Sequence, residues 1–221
     1  MQAERAYEKF QIKLNENFET SKIAVDRGRF VIVSMESQNK MMENILDRKK
    51  DDELRYIQKV LVKDAKIKKD SSTTTADYFP LPDNYFDFSS AYTKAHKDSC
   101  TNQKINLYEI KDDNSIAIMQ DEFNKPSFIA REAPFTFSSD KITVFKDDFT
   151  NDELYLSYYR YPTQIRLLDE EDPESVFDPS FEFEFDDKFV DRIISMAVSE
   201  MKINNEDPSY QINKQQAINK L

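Results

Sequence analysis

His96 is the only histidine and Cys100 the only cysteine in 221 residues. One chain therefore has no means to build a histidine-paired metal site, a thiolate cluster or an internal disulfide. A nucleophile activated by His96 would need a Ser and an Asp in support, and the run Lys94-Ala95-His96-Lys97-Asp98 supplies no such spacing. Cys100 follows Asp98 and Ser99 in a polar stretch and reads as a bystander thiol. Gly28 is the only glycine, which removes glycine-rich phosphate cradles, the usual dinucleotide folds and serine-elbow hydrolases together. Asp169-Glu170-Glu171-Asp172 gathers enough carboxylates to attract a cation, but it lacks the alternating ligands and turn glycine of a calcium loop. Among 42 acidic residues a carboxylate pair for glycoside cleavage is available in principle, yet the chain has no Trp to line a sugar cleft. No catalysis, no cofactor and no metal are expected.

Charge is the next constraint. The formal net charge is -11, and ten of the 42 acidic residues fall between Asp169 and Asp187, where there is no Lys or Arg. Outside that belt the chain carries only -1. Such a belt argues against a nucleic-acid grip, which wants clustered Lys and Arg, and suits a solvated linker or a surface that repels DNA. The length is sufficient for one large domain or two small ones. Unbroken apolar runs reach only four residues, as in Phe30 to Val33, so no membrane span is expected. Charged and apolar residues alternate from Met1 to Phe10, so no signal peptide is expected and a cytoplasmic protein is the simplest reading.

The elements that must position these residues follow from periodicity. Ala3, Ala6, Tyr7, Phe10 and Leu14 line one face of a first amphipathic helix. Asp26 caps a second helix over Arg27 to Arg48, with Gly28 in its first turn, where its entropic cost is smallest, and three methionines that favour soft packing. Asp51 and Asp52 cap a third helical piece carrying Leu54, Ile57 and Leu61 and ending near Asp64. A polar stretch from Lys66 to Thr75 marks a boundary. Residues 76–165 are aromatic and β-branched, with strands expected around Tyr78-Phe79, Tyr85 to Tyr92, Ile105 to Ile110, Ser127 to Ala130, Phe135 to Phe137, Ile142 to Phe145 and Leu154 to Tyr161. The last, occupied on both faces, is expected to be central. A short helix capped at Asp112 or Asp113 runs through Gln120. Phe181, Phe183 and Phe185 alternate with Glu182 and Glu184 as a strand, and Asp186 then opens a helix with Phe189, Ile193, Ala197 and Met201 four apart. The run Asn204 to Pro208 stops it, and a final short helix places Tyr210, Asn213, Ala217 and Leu221 on one line.

The order of these pieces resembles the head-to-tail connector (adaptor, or neck ring) proteins of tailed bacteriophages, particularly the ring proteins of crAss-like phages. The residues that carry the resemblance are the first helix, Asp26-Arg27-Gly28-Arg29-Phe30, Glu36-Ser37-Gln38-Asn39-Lys40 and Leu54-Arg55-Tyr56-Ile57-Gln58. Phe79-Pro80-Leu81-Pro82-Asp83-Asn84-Tyr85, Tyr158-Tyr159-Arg160-Tyr161-Pro162 and the acidic hinge Asn204 to Pro208 complete it. The resemblance implies an α+β fold: a helical bundle formed by the N- and C-terminal helices, residues 1–65 and 186–221, with a β-rich domain inserted at 66–165 and an acidic linker and strand at 166–185. It implies a virion structural protein, repeated about twelve times in a ring around the DNA channel. The partners would be copies of itself, the portal protein and other neck or tail rings, with genomic DNA passing unbound and no membrane involved. By position, Tyr210, Ala217, Ile218 and Leu221 would contact the portal or a neighbouring subunit, and Asp169, Glu170, Glu171 and Asp172 would line the channel. The rival from another class is an acidic DNA-mimic inhibitor, which needs its charge laid along a long surface; a small hydrolase using carboxylates is a third.

Overall fold

A computed structural model of the chain describes residues 1–16, 23–49, 51–138 and 140–206. The chain divides into two compact units, Met1–Lys59 with Pro162–Leu221, and Val60–Tyr161.

In the first unit, α1 (Ala3–Asn15), α2 (Arg27–Arg48) and α5 (Asp187–Glu206) are the long helices, with a single turn α3 (Asp51–Leu54) running into a 3-10 segment, Arg55–Val60. The Asp26 side chain accepts a hydrogen bond from the Arg29 amide at 2.6 Å, and Asp186 does the same for Phe189 at 2.7 Å, so both expected caps are made. The predicted stripes are the buried ones: Ala3, Ala6, Phe10 and Leu14 on α1, and Phe189, Val190, Ile193, Ile194, Ala197, Val198 and Met201 on α5. Burying one of these Phe or Ile side chains is worth about 1.5–3 kcal/mol. Polar rails hold α1 and α2 to α5, through Lys9–Asp191 at 2.7 Å, Lys13 to Ser195 at 2.8 Å and Lys40–Glu200 at 2.7 Å. Phe181, Phe183 and Phe185 are buried as their alternation implies, but no strand forms there; the stretch makes one bridge, Gln2 to Glu182.

The second unit is an eight-stranded mixed sheet in the order β1-β8-β4-β5-β6-β7-β3-β2. Its strands are β1 Leu61–Lys68, β2 Ser71–Ser72, β3 Ala76–Pro80, β4 Tyr85–Lys97, β5 Cys100–Glu109, β6 Glu132–Phe137, β7 Lys141–Phe145 and β8 Thr150–Arg160. All neighbours are antiparallel except β5 and β6, whose parallel pairing requires the crossover that carries α4 (Ser115–Gln120). The sheet curls into a half-barrel, so that Ile67 of β1 and Phe79 of β3, distant in strand order, share one core with Phe135, Ile142, Leu154 and Leu156. As expected, β8 is paired on both sides, with β1 and β4. Pro80 ends β3, next to the two-residue edge strand β2, where a missing amide costs least. Ser127 to Ala130 supplies only one bridge, at Ser127.

The expected fold class is corrected. The architecture is dominated by the curled mixed sheet, with few helices at the termini, and not by a helical bundle carrying an insertion. The physical reason lies at Leu61–Lys68, where the spacing predicts a helix as far as Asp64 and the polar stretch from Lys66 a linker that can double as a strand. The three-and-four spacing of Leu54, Ile57 and Leu61 is satisfied only as far as Val60, where the helical segment ends. Asp64 then takes a left-handed backbone (φ 50°) at a bulge, and the segment pairs along β8. That added strand completes a sheet broad enough to curl over its own core.

Candidate functional site

The residues with chemical potential are dispersed. His96 donates through its Nδ1–H to the Asp152 carboxylate, 2.8 Å away, beside a polar hollow of about 320 Å³ lined also by Thr73, Lys97, Lys146 and Asp148. A histidine–carboxylate pair is half of a proton relay, but among the described residues no hydrogen bond joins His96 to a Ser, Thr or Cys. Thr73 is occupied by its own turn, donating to the Ala76 carbonyl and accepting from the Ala76 amide. Cys100 is exposed at the β4–β5 hairpin. Among the described residues, no group of three or more His, Cys, Asp or Glu side chains is placed to hold a metal ion.

Among the described residues Asp77, which no sequence motif marks, is the carboxylate that is fully buried with its charge. Lys146 donates to its Oδ1 at 2.8 Å and Ser72 at 2.6 Å, while the Asn151 amide and side-chain NH₂ donate to Oδ2 at 3.2 and 3.0 Å. Lys69 lies 3.4 Å away. Burial pushes the Asp77 carboxyl up, but the Lys146 and Ser72 hydrogen bonds and the charges of Lys69 and Lys146 outweigh it and hold the group below the usual carboxylate range. A carboxylate with every lone pair engaged has none left to accept a substrate proton, so this network ties β2, β3 and β8 together.

The acidic cluster expected to line a channel sits on an exposed tight loop. Asp169 Oδ1 accepts from the Glu171 amide and Asp172 Oδ1 from the Glu174 amide, both at 3.0 Å. The Leu168 amide donates to the Val176 carbonyl at 2.9 Å, and the Gly28 amide to the Pro173 carbonyl at 2.8 Å, which pins the loop to the start of α2. Beside it, α2 and residues 164–173 bound an open groove of about 970 Å³ with Val31, Ile32, Met35 and Leu167 among the apolar groups and Arg166 and Glu170 among the charged ones. Tyr210, Ala217, Ile218 and Leu221, the expected portal or neighbour contacts, lie outside the described residues.

A second surface was not legible in the sequence. On the outward side of β1, β8, β4 and β5 the pairing register sets Lys66 opposite Tyr155, Tyr155 opposite Tyr92, and Lys94 opposite Lys104. Tyr92 and Tyr155 stack in parallel, 4.8 Å between centroids and 1° between planes. The Lys104 ammonium sits over Tyr92 at 4.0 Å and that of Lys94 over Tyr155 at 4.8 Å. Glu153 is ion-paired with Lys66 and accepts from the Tyr155 hydroxyl at 2.8 Å, and these bonds hold its carboxyl below the usual range. Lys66, Lys94 and Lys104 come from three different strands, β1, β4 and β5, so no local run announces them together.

No protein-family model matches the chain, and no curated protein matches it.

Proposed function

We propose that this protein is a virion structural protein, a ring-forming component of the head-to-tail connector between portal and tail of a tailed bacteriophage. The observation that carries the reading beyond the sequence resemblance is the apolar surface of the β5–β6 crossover. Phe123 is 95% exposed, Ile129 89% and Ile116 72%, all within residues 110–131. Of the eight large apolar side chains exposed among the described residues, three fall in this one segment, a concentration suited to being covered by assembly. The neutral balance outside the acidic belt fits the same role, because passing DNA is neither gripped nor strongly repelled by most of the chain. The acids at 169–174 occupy one tight loop and not a long face, so nothing favours the DNA-mimic alternative.

The test is electron microscopy of the chain expressed alone and together with a portal protein. Closed rings stacked on the portal are the expected result. A compact monomer that joins neither copies of itself nor the portal would overturn the reading.

A further inference from the structure

We propose that the lysine–tyrosine face of β1, β8, β4 and β5 is the seat for the acidic loop 169–174 of a second copy of this chain. This deepens the connector reading by naming the seam between copies, to which it moves Asp169–Asp172 from the expected channel wall, and it rests on that reading for the ring.

The two patches are complementary in charge. Lys66, Lys68, Lys94 and Lys104 gather on the face, with Glu153 set among them by the register, on a chain of net charge -11. Glu153 is held by Lys66 and the Tyr155 hydroxyl and lies opposite Lys68 and Lys94, one carboxylate among four lysines. The loop offers the converse: Asp169, Glu170, Glu171, Asp172 and Glu174 are all exposed, with no basic residue from 169 to 187. Among the described residues the Glu170 and Glu171 side chains make no hydrogen bond or ion pair. The loop is also shaped in advance by its own turn bonds and by Gly28, so little ordering is needed on docking.

The geometry of the tyrosines separates this partner from nucleic acid. A single-stranded binding platform offers open ring faces on which bases stack. Here each ring has its twin on one side and an ammonium over it, so the face presents hydroxyl edges and cations, which suit carboxylates. The overall negative charge opposes a phosphate backbone as well. Because face and loop are different patches of one chain, their contact is heterologous, and a heterologous contact repeats from copy to copy and closes into a ring when the rotation permits.

The experiment uses the full chain, with sedimentation velocity reading self-association at about 0.1 and about 0.5 M salt. Two reversed variants are compared, Lys66→Glu/Lys94→Glu/Lys104→Glu on the face and Glu170→Lys/Glu171→Lys/Glu174→Lys on the loop, with circular dichroism confirming that both fold. Wild type is expected to associate at low salt and weaken at high salt. Each variant alone is expected to associate at least about tenfold more weakly, since like charges then meet at the seam. In a mixture of the two variants both kinds of contact between unlike copies pair opposite charges, so association is restored by alternation, and its recovery on mixing is the decisive result. Unchanged association in the variants, or no recovery on mixing, overturns the proposal. So does binding of a labelled oligonucleotide that the face variant abolishes, which would assign the face to nucleic acid. Rings seen with the portal but indifferent to both variants would sink the seam and leave the connector reading standing. Variant-rescued pairing with no portal rings would do the reverse.

Discussion

Asp77 shows how much a single side chain can hold in this protein. Its carboxylate is the common acceptor for Lys146, Ser72 and Asn151, at zero exposure. Replacing it with Ala leaves the Lys146 ammonium buried without its partner, and removal of one member of a buried pair costs about 3–5 kcal/mol. Urea unfolding of Asp77→Ala against wild type should show that loss, while Asp77→Asn, which keeps the shape and some hydrogen bonds, should lose less. The sign of the pH effect follows from the depressed folded value. The stabilisation is full above the unfolded carboxylate range and is lost as pH falls through the folded value of Asp77. The stability gap between wild type and Asp77→Asn should therefore be flat near neutrality and close in acid. A gap that widened in acid would refute the assignment. None of this was legible beforehand, because Ser72, Asp77, Lys146 and Asn151 become neighbours only through strand pairing.

Among the elements, the junction of α2 with the acidic loop gives a test of opposite sign to propensity. Gly28 lies in the first turn of α2, and on helix propensity alone Gly→Ala would gain up to about 1 kcal/mol. A Cβ built there would lie 2.9 Å from Pro173 Cβ and 3.0 Å from its Cα, atoms of a ring and backbone that do not swing aside. Thermal unfolding of Gly28→Ala is expected to show a net loss of about 1 kcal/mol or more, of the size overpacking costs. A rise in Tm would show that the loop yields. Here the sequence was half legible: the Asp26 cap, the α1 stripe and the α5 stripe were read as they stand, since helical period and capping act within one turn. Two segments were not legible: Leu61, where a helix-like spacing gives way to a strand, and Phe181 to Phe185. Inward alternation there is real, but a strand needs a neighbouring edge to pair along, and only Glu182 finds one.

For the whole molecule, the two compact units differ in what they need. Residues 60–161 contain the complete sheet and its core, and their ends are close, because Leu61 pairs with Tyr159 across β1 and β8. The excised segment is expected to fold alone, giving a β-type circular dichroism spectrum and one cooperative thermal transition; a spectrum without structure would show that the other unit is required. The sequence by itself determined the local features: helix starts, buried stripes, the doubly occupied strand β8 and the confinement of excess charge to 169–187. Each depends on spacing over a few residues and is written where it acts. Tertiary structure alone decided the dominance of the sheet, the burial of Asp77 and the lysine–tyrosine face. Those depend on strand order and register, which bring together residues from β1, β4, β5 and β8 whose spacing along the chain carries no period.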